Sequence, residues 1–267
     1  MNAIWEELLK LSKAGRPAAL CTITKTAGST PGKQSMRMLV RDDGSILGTV
    51  GGGCLEAEVL EAALEAIQTE RPHTLAFALN ERDYPDSGLV CGGRLEIFVE
   101  PIVEPRLFIF GGGHVSAALT RMATMVGFHV TVADDREAFA TPARHPDAAA
   151  TFHGTWDDAV ARALADGAAG RYFVIATRGH LDDQGILASL GRALASGPAP
   201  KYLGMIGSRA KRATLFGNLR AEGLSEAFLE TIQSPMGLDI GARTHEEIAV
   251  SVVAELVRVR RCGPAPR

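Results

Sequence analysis

The chain has 267 residues, 46% of them hydrophobic, which is enough for one large domain or two modest ones. Its formal net charge of -3 argues against broad electrostatic binding of nucleic acid or of an anionic membrane surface. No apolar run approaches the ~20 residues of a membrane span, and the first residues lack the pattern of a signal peptide. Four cysteines, Cys21, Cys54, Cys91 and Cys262, are scattered and form no CxxC pair, so neither a zinc site nor a disulfide framework is indicated. A reducing cytoplasm is the expected compartment.

In chain order, residues 2–14 carry Ile4, Leu8 and Leu11 on one face and predict an amphipathic helix that Gly15-Arg16-Pro17 ends. A strand is expected over 18–24, then a polar loop over 25–34. Two strands, 36–41 and 45–50, flank Asp42-Asp43-Gly44, a hairpin signal. Gly51-Gly52-Gly53-Cys54 then opens a helix over 54–69 with Leu55, Val59, Ala62, Ala63 and Ile67 as its apolar stripe. Strands follow at 74–79 and 95–99. Glu100 to Pro105 holds two prolines and predicts a linker, since proline cannot continue a central strand. From there strands at 107–110, 128–132, 149–152, 172–176 and 202–206 alternate with helices near 114–126, 155–166, 183–196 and 209–222. That alternation predicts a parallel sheet with helices on both faces. The last helix opens on the capping box Thr244-His245-Glu246-Glu247. The fold class is thus α/β: a mixed α+β domain over 1–103, then a Rossmann-like parallel-sheet domain over 104–267.

The second domain starts with its clearest signal. The strand Leu107–Phe110 runs into Gly111-Gly112-Gly113-His114, a helix follows, and Asp134 comes 23 residues after Gly111 at the end of the next strand. Gly111 and Gly113 permit a tight turn and close backbone approach, the helix N-terminus favours a phosphate, and Asp134 stands where a ribose-binding carboxylate belongs. The third glycine position is Ser116. Two readings stay open: a bound dinucleotide such as NAD(P) or another nucleotide, or a Rossmann-like scaffold that holds none. Arg178-Gly179-His180 and Ser208-Arg209-Ala210-Lys211-Arg212 follow later strands, where open α/β sheets bind ligands. Cations in the first turn of a helix oppose its dipole, so an anion near Ser208 and Arg209 or a merely solvated basic face are the alternatives. His114 and His180 are phosphate or proton-donor candidates, against ordinary surface histidines. The other five histidines, His245 among them, lack ligand-like spacing.

The first domain carries three glycine loops: Gly28 to Lys33, Gly51 to Glu56 and Gly88 to Gly93. Cys54 opens a helix, where the dipole favours its thiolate, and Cys91 sits beside Gly92 and Gly93. Two thiols in glycine loops point to a soft-ligand or sulfur-handling site; the alternative is that both are small buried residues.

These same segments resemble the XdhC/CoxI family. Gly28-Ser29-Thr30-Pro31-Gly32, Met36-Arg37-Met38-Leu39-Val40, Gly48 to Glu56, and Leu89-Val90-Cys91-Gly92-Gly93 are similar to its amino-terminal part. Gly111-Gly112-Gly113-His114-Val115, Ala176-Thr177-Arg178-Gly179-His180, Gly204 to Arg209 and Gly237 to Ala242 are similar to its carboxy-terminal part. The resemblance implies a maturation factor for molybdenum hydroxylases such as xanthine dehydrogenase. Such a factor binds the molybdenum cofactor as molybdopterin or its dinucleotide form. It supports sulfuration by a cysteine desulfurase and delivers the cofactor to the apoenzyme. Cys54 and Cys91 would touch molybdenum or a transferred sulfur. Gly51, Gly52, Gly53, Gly92, Gly93, Gly111, Gly113, His114, Asp134, Arg178, His180, Ser208 and Arg209 would line the cofactor. Val90-Cys91 and Cys54 look more like the CoxI side, which implies a carbon monoxide dehydrogenase-like or aldehyde oxidase-like client. A homodimer without nucleic acid or membrane partners is expected.

An accessory protein, not a turnover enzyme, is the leading class. The alternatives are an NAD(P)-dependent oxidoreductase and a nucleotide-sensing scaffold. Against the oxidoreductase, none of Tyr84, Tyr172 and Tyr202 has a lysine four residues later.

Overall fold

The computed structural model describes residues 2–79, 92–165, 167–195 and 197–263. They fall into two compact units, Met1–Glu104 and Pro105–Arg267.

In the first unit, helix α1 (Asn2–Lys13) precedes strands β1 (Ala18–Ala27), β2 (Arg37–Arg41) and β3 (Ile46–Gly48). Helix α2 (Gly53–Thr69) and strands β4 (His73–Ala78) and β5 (Arg94–Ile102) follow. The five strands form one antiparallel sheet in the order β3-β2-β1-β5-β4. Side chains alternate across a strand, and β1 shows why its sequence is apolar throughout. Ala19, Cys21 and Ile23 face the core under α2, while Ala18 and Leu20 face the one under α1. Burial pushes the Cys21 thiol up to about 12, so it stays protonated as a small core residue.

The linker expected at 100–105 is corrected. β5 runs on through Pro101, which pairs with Ala19 of β1. Proline is tolerated there because β4 reaches only as far as Val99, so this stretch of β5 has a neighbour on one side.

The second unit opens with β6 (Arg106–Phe110), α3 (His114–Met125), β7 (His129–Asp134) and β8 (Ala150–His153). It continues through α4 (Trp156–Leu164), β9 (Tyr172–Ile175), α5 (His180–Ala193), β10 (Tyr202–Met205) and α6 (Arg209–Ala221). It ends with α7 (Glu226–Thr231), β11 (Ile232–Gln233) and α8 (His245–Cys262). The six strands are parallel, in the order β11-β10-β9-β6-β7-β8. Counted from β6, that is the 3-2-1-4-5-6 order of dinucleotide-binding folds, with its switch point between β6 and β9. Both faces are covered. Leu107 and Ile109 pack under α3 and α8, and Phe108 and Phe110 pack on the opposite face with α4 to α7. Each such fully buried side chain contributes roughly 1.5–3 kcal/mol. The α/β class and the parallel sheet are as the alternation predicts. The helix α5 starts at His180 rather than 183, because Gly179 serves as its N-cap. The short α7 and β11 were not foreseen. The capping box of α8 is present in full, with the Thr244 hydroxyl on the Glu247 N–H and the Glu247 carboxylate on the Thr244 N–H.

Candidate functional site

In the first unit the three glycine loops meet. Ser29 bridges to Gly92, and a Cβ on Gly93 would lie 2.0 Å from the Ser29 carbonyl oxygen. A Cβ on Gly51 would lie 3.1 Å from Pro31 Cγ, and one on Gly32 2.3 Å from the Val50 carbonyl oxygen. Only glycine lets these backbones approach so closely. Gly51, Gly52 and Gly53 all have positive φ, at 140, 85 and 62°, and aim the loop into α2.

Three of the loop's amides, those of Val50, Gly51 and Gly52, are taken by side chains of the same segment. Glu56, in the first turn of α2, folds back, and its Oε1 accepts from the Thr49 hydroxyl at 2.5 Å, the Val50 N–H at 3.1 Å and the Gly52 N–H at 3.0 Å. Burial pushes the Glu56 carboxyl up, but the Thr49 and backbone hydrogen bonds outweigh it and hold the group below the usual carboxylate range. The sequence reading missed this role of Glu56. Among the described residues, chain neighbours apart, no heavy atom lies within 4 Å of a Cβ built on Gly52, Gly53 or Gly92. Cys54 is a free, exposed thiol at the start of α2. Cys91 lies outside the described residues.

In the second unit every predicted site residue lies at the carboxyl edge of the parallel sheet. Gly111 (φ 105°) follows β6, and its missing Cβ would sit 2.4 Å from the Ala176 carbonyl oxygen beyond β9. The Gly111 N–H bonds to Ala133 at 2.7 Å and the Gly112 N–H to Asp134 at 2.7 Å. The first helical bond of α3 runs from Ala117 to Gly113 at 3.0 Å, so the N–H groups of Gly113, His114, Val115 and Ser116 are the turn's free donors among the described residues. Gly113 faces open space. His114 stacks on His245 of α8, centroids 5.2 Å apart and planes within 15°, a pairing that sequence spacing could not show.

Asp134 departs from the expected exposed ribose ligand. Its side chain is 1% exposed. Burial raises its pKa, but the bonds from Arg136 and from the Gly112 N–H overcome that and set it below the usual carboxylate range. Its neighbour Asp135 pairs with Arg178 at 2.8 Å instead. His145 closes the same loop, with Nε2 3.1 Å from the Phe139 carbonyl oxygen. Its Nδ1 is buried with no partner among the described residues.

Burial lowers the His145 pKa from 6.5, and the Phe139 contact offsets only part of that. The folded state therefore holds a neutral ring that the unfolded chain protonates near pH 6.5. Its stability is present above that pH and is lost as pH falls toward the lower folded value. Urea unfolding of the full chain should show a larger loss between pH 7.5 and 5.5 for the parent than for His145→Gln. Equal losses would refute this assignment.

The basic turn resolves into separate roles. Lys211 Nζ pairs with the fully buried Asp183 of α5, which also accepts from the Thr177 hydroxyl at 2.5 Å. Arg212 stacks over Phe216, 4.8 Å from the ring centroid. Ser208 caps α6 through the Lys211 N–H. Lys211 thus serves a buried carboxylate, contrary to the expected anion site. Arg209 is exposed and has no carboxylate partner among the described residues. His180 opens α5 and, with Arg178, lines a groove of about 490 Å³ against Thr214 and Asn218 of α6. No group of three or more His, Cys, Asp or Glu side chains among the described residues could hold a metal ion.

Together these features define a two-unit protein: an antiparallel unit with an exposed thiol beside glycine loops, and a Rossmann-type unit. Residues 107–256 match the XdhC Rossmann domain, and residues 11–78 match the XdhC and CoxI family. The chain belongs to the XdhC/CoxI family. It is 33% identical over 262 residues to the uncharacterized protein YqeB of Escherichia coli, covering 98% of this chain but 47% of that one. The chain therefore spans about half the length of that relative. The molybdenum cofactor insertion chaperone PaoD of Escherichia coli is 24% identical, over 92% of this chain and 85% of its own. The crystal structure of a xanthine dehydrogenase from Bacillus halodurans shares the fold, with a TM-score of 0.52 at 23% identity, covering 96% of this chain and 95% of that one. No helix among the described residues is long and apolar enough to cross a membrane.

Proposed function

We propose that the chain is a maturation factor for a molybdenum hydroxylase. It binds the molybdenum cofactor, supports its sulfuration by a cysteine desulfurase and delivers it to the apoenzyme. Family membership and the likeness to a cofactor insertion chaperone support this reading. The carrying observation is the exposed, unpaired thiol of Cys54 beside three converging glycine loops that leave open space at Gly52, Gly53 and Gly92.

The donor set suits such a group. Bound there, the cofactor would supply a molybdenum centre held by dithiolene sulfurs, and a thiolate beside it is the group that can exchange sulfur. Cys54 would hold it, with Cys91 as the second thiol that the family resemblance implies. Glu56 keeps Gly51 and Gly52 fixed so that Cys54 stays presented at the helix start. In the second unit by itself, the N–H groups at the start of α3, Gly113 to Ser116, offer a place for a phosphate. Activation of a cofactor-free hydroxylase by the cofactor-loaded chain with a cysteine desulfurase tests the reading. Activation no better than with free cofactor would overturn it.

Gly113→Val gives a sharper check on the phosphate end. Gly113 has φ -72° and nothing within 4 Å of its Cβ, so valine fits the backbone and fills only the ligand space. Calorimetry should show a folded variant that no longer binds the phosphate-bearing ligand of the parent. Undiminished binding would place the phosphate elsewhere.

A further inference from the structure

The two sides of the Rossmann crevice differ. On the β7–β8 side the chain has filled the place where the adenosine ribose of a dinucleotide lies. Asp134 Oδ1 accepts from the Arg136 N–H at 2.9 Å and from Arg136 Nε at 2.8 Å. Its Oδ2 accepts from the Gly112 N–H at 2.7 Å and from Arg136 Nη2 at 2.9 Å. A carboxylate has about four lone-pair sites, and four donors occupy them. Nothing is left for a ribose hydroxyl. The Arg136 guanidinium lies 3.6 Å from the centroid of the Phe139 ring, and Arg144 lies 4.4 Å from it. Arg144 Nε also donates to the Gly112 carbonyl at 2.8 Å. A Cβ on Gly112 would sit 2.1 Å from the Phe139 carbonyl oxygen. The glycine loop is thus fastened to the segment that follows β7, with no gap between them.

On the β10–β11 side the edge is open. A cavity of about 540 Å³ is lined by Ile206, Arg209, Met236, Asp239, Ile240 and Ile248, among others. Its walls mix apolar side chains with polar groups, and Arg209, which has no carboxylate partner among the described residues, brings a guanidinium to it. His245, stacked on His114, joins the start of α3 to the start of α8, whose Ile248 lines the cavity. A cavity that sets a guanidinium fork beside Ile206, Met236 and Ile248 suits one aromatic ring system with oxygen and nitrogen acceptors on an edge.

We propose that the Rossmann unit is closed to adenine dinucleotides and takes a ligand with one oxo-substituted heterocycle and one phosphate monoester. The heterocycle lies in the β10–β11 cavity with Arg209 on its acceptor edge. Pterins, flavins and guanine share that chemistry. The inference rests on the reading that the Gly113 turn holds a phosphate, and it specifies the ligand class and where its ring lies.

The test is calorimetry on the full chain with four probes: flavin mononucleotide and GMP as single-ring-system monophosphates, NADH and ADP-ribose as adenine dinucleotide types. At least one monophosphate should bind saturably, and NADH and ADP-ribose should not. Arg209→Ala should weaken the monophosphate roughly tenfold or more, the loss of a charge-assisted contact. Arg209 is exposed, so circular dichroism should show an unchanged fold. Saturable binding of NADH or ADP-ribose would overturn the closure while leaving the phosphate reading intact. Monophosphate affinity unchanged in Arg209→Ala would overturn the cavity assignment. If no probe of either kind binds, both the inference and the phosphate reading fall.

Discussion

Lys211→Ala should destabilise the second unit by about 3 kcal/mol, because removing one partner of a buried pair leaves an uncompensated charge. Asp183 is fully buried and faces Lys211 Nζ and the Thr177 hydroxyl. The Lys211 amine also reaches the Ile206 carbonyl at 3.4 Å, tying the start of α6 to the end of β10. Neutralising the acid as well should recover part of the loss, so Lys211→Ala with Asp183→Asn should be more stable than Lys211→Ala alone. Denaturant unfolding of the four proteins in this cycle measures the coupling. A loss under about 0.5 kcal/mol, the range of ordinary surface substitutions, would show that the pair carries no such role. The sequence left this basic turn open between a bound anion and a solvated face; a stability loss without any ligand present separates a buried ion pair from both.

Cys54→Ser should leave the fold unchanged yet reduce hydroxylase activation roughly tenfold or more, the scale of one lost ligand contact. The thiol is exposed, so serine costs no core packing. A hydroxyl takes no part in sulfur exchange, so serine keeps the size of the side chain and removes its sulfur chemistry. Cys21→Ser is the internal contrast: it buries a hydroxyl in the core beside α2 and should lower stability instead. Reconstitution measured as active hydroxylase per molybdenum checks both. Full activation by Cys54→Ser would remove the thiol from the mechanism and leave recognition of pterin and phosphate alone.

The parts legible in the sequence are those set by short-range pattern. The run from Leu107 through Gly111 to Asp134 encodes strand, turn, helix and strand in one stretch. The Thr244–Glu247 capping box is local, and both were read correctly. Side-chain partners were not legible. Spacing put Asp134 at the end of β7, but Arg136, two residues on in the same turn, takes both of its oxygens. Lys211 and Asp183 are 28 residues apart and meet only because α5 and α6 are neighbours. His114 and His245 meet because α3 and α8 share a face of the sheet. Pro101 misled because its sequence cannot show where β4 stops alongside it. The helix α7 and strand β11, at 6 and 2 residues, are too short to display a period. Glu56 had a visible signal, an acid in the first turn of a helix behind three glycines, but its return to the loop is a tertiary outcome.

On the proposed reading the chain carries the molybdenum cofactor, and a bound species is directly detectable. Mass spectrometry and absorption spectroscopy on protein isolated from a molybdenum-sufficient host test it most directly. The account predicts a molybdenum-bearing pterin that travels with the parent protein and is depleted in Cys54→Ser. Parent protein that is free of pterin and molybdenum, and that takes up none when the isolated cofactor is added, would contradict it.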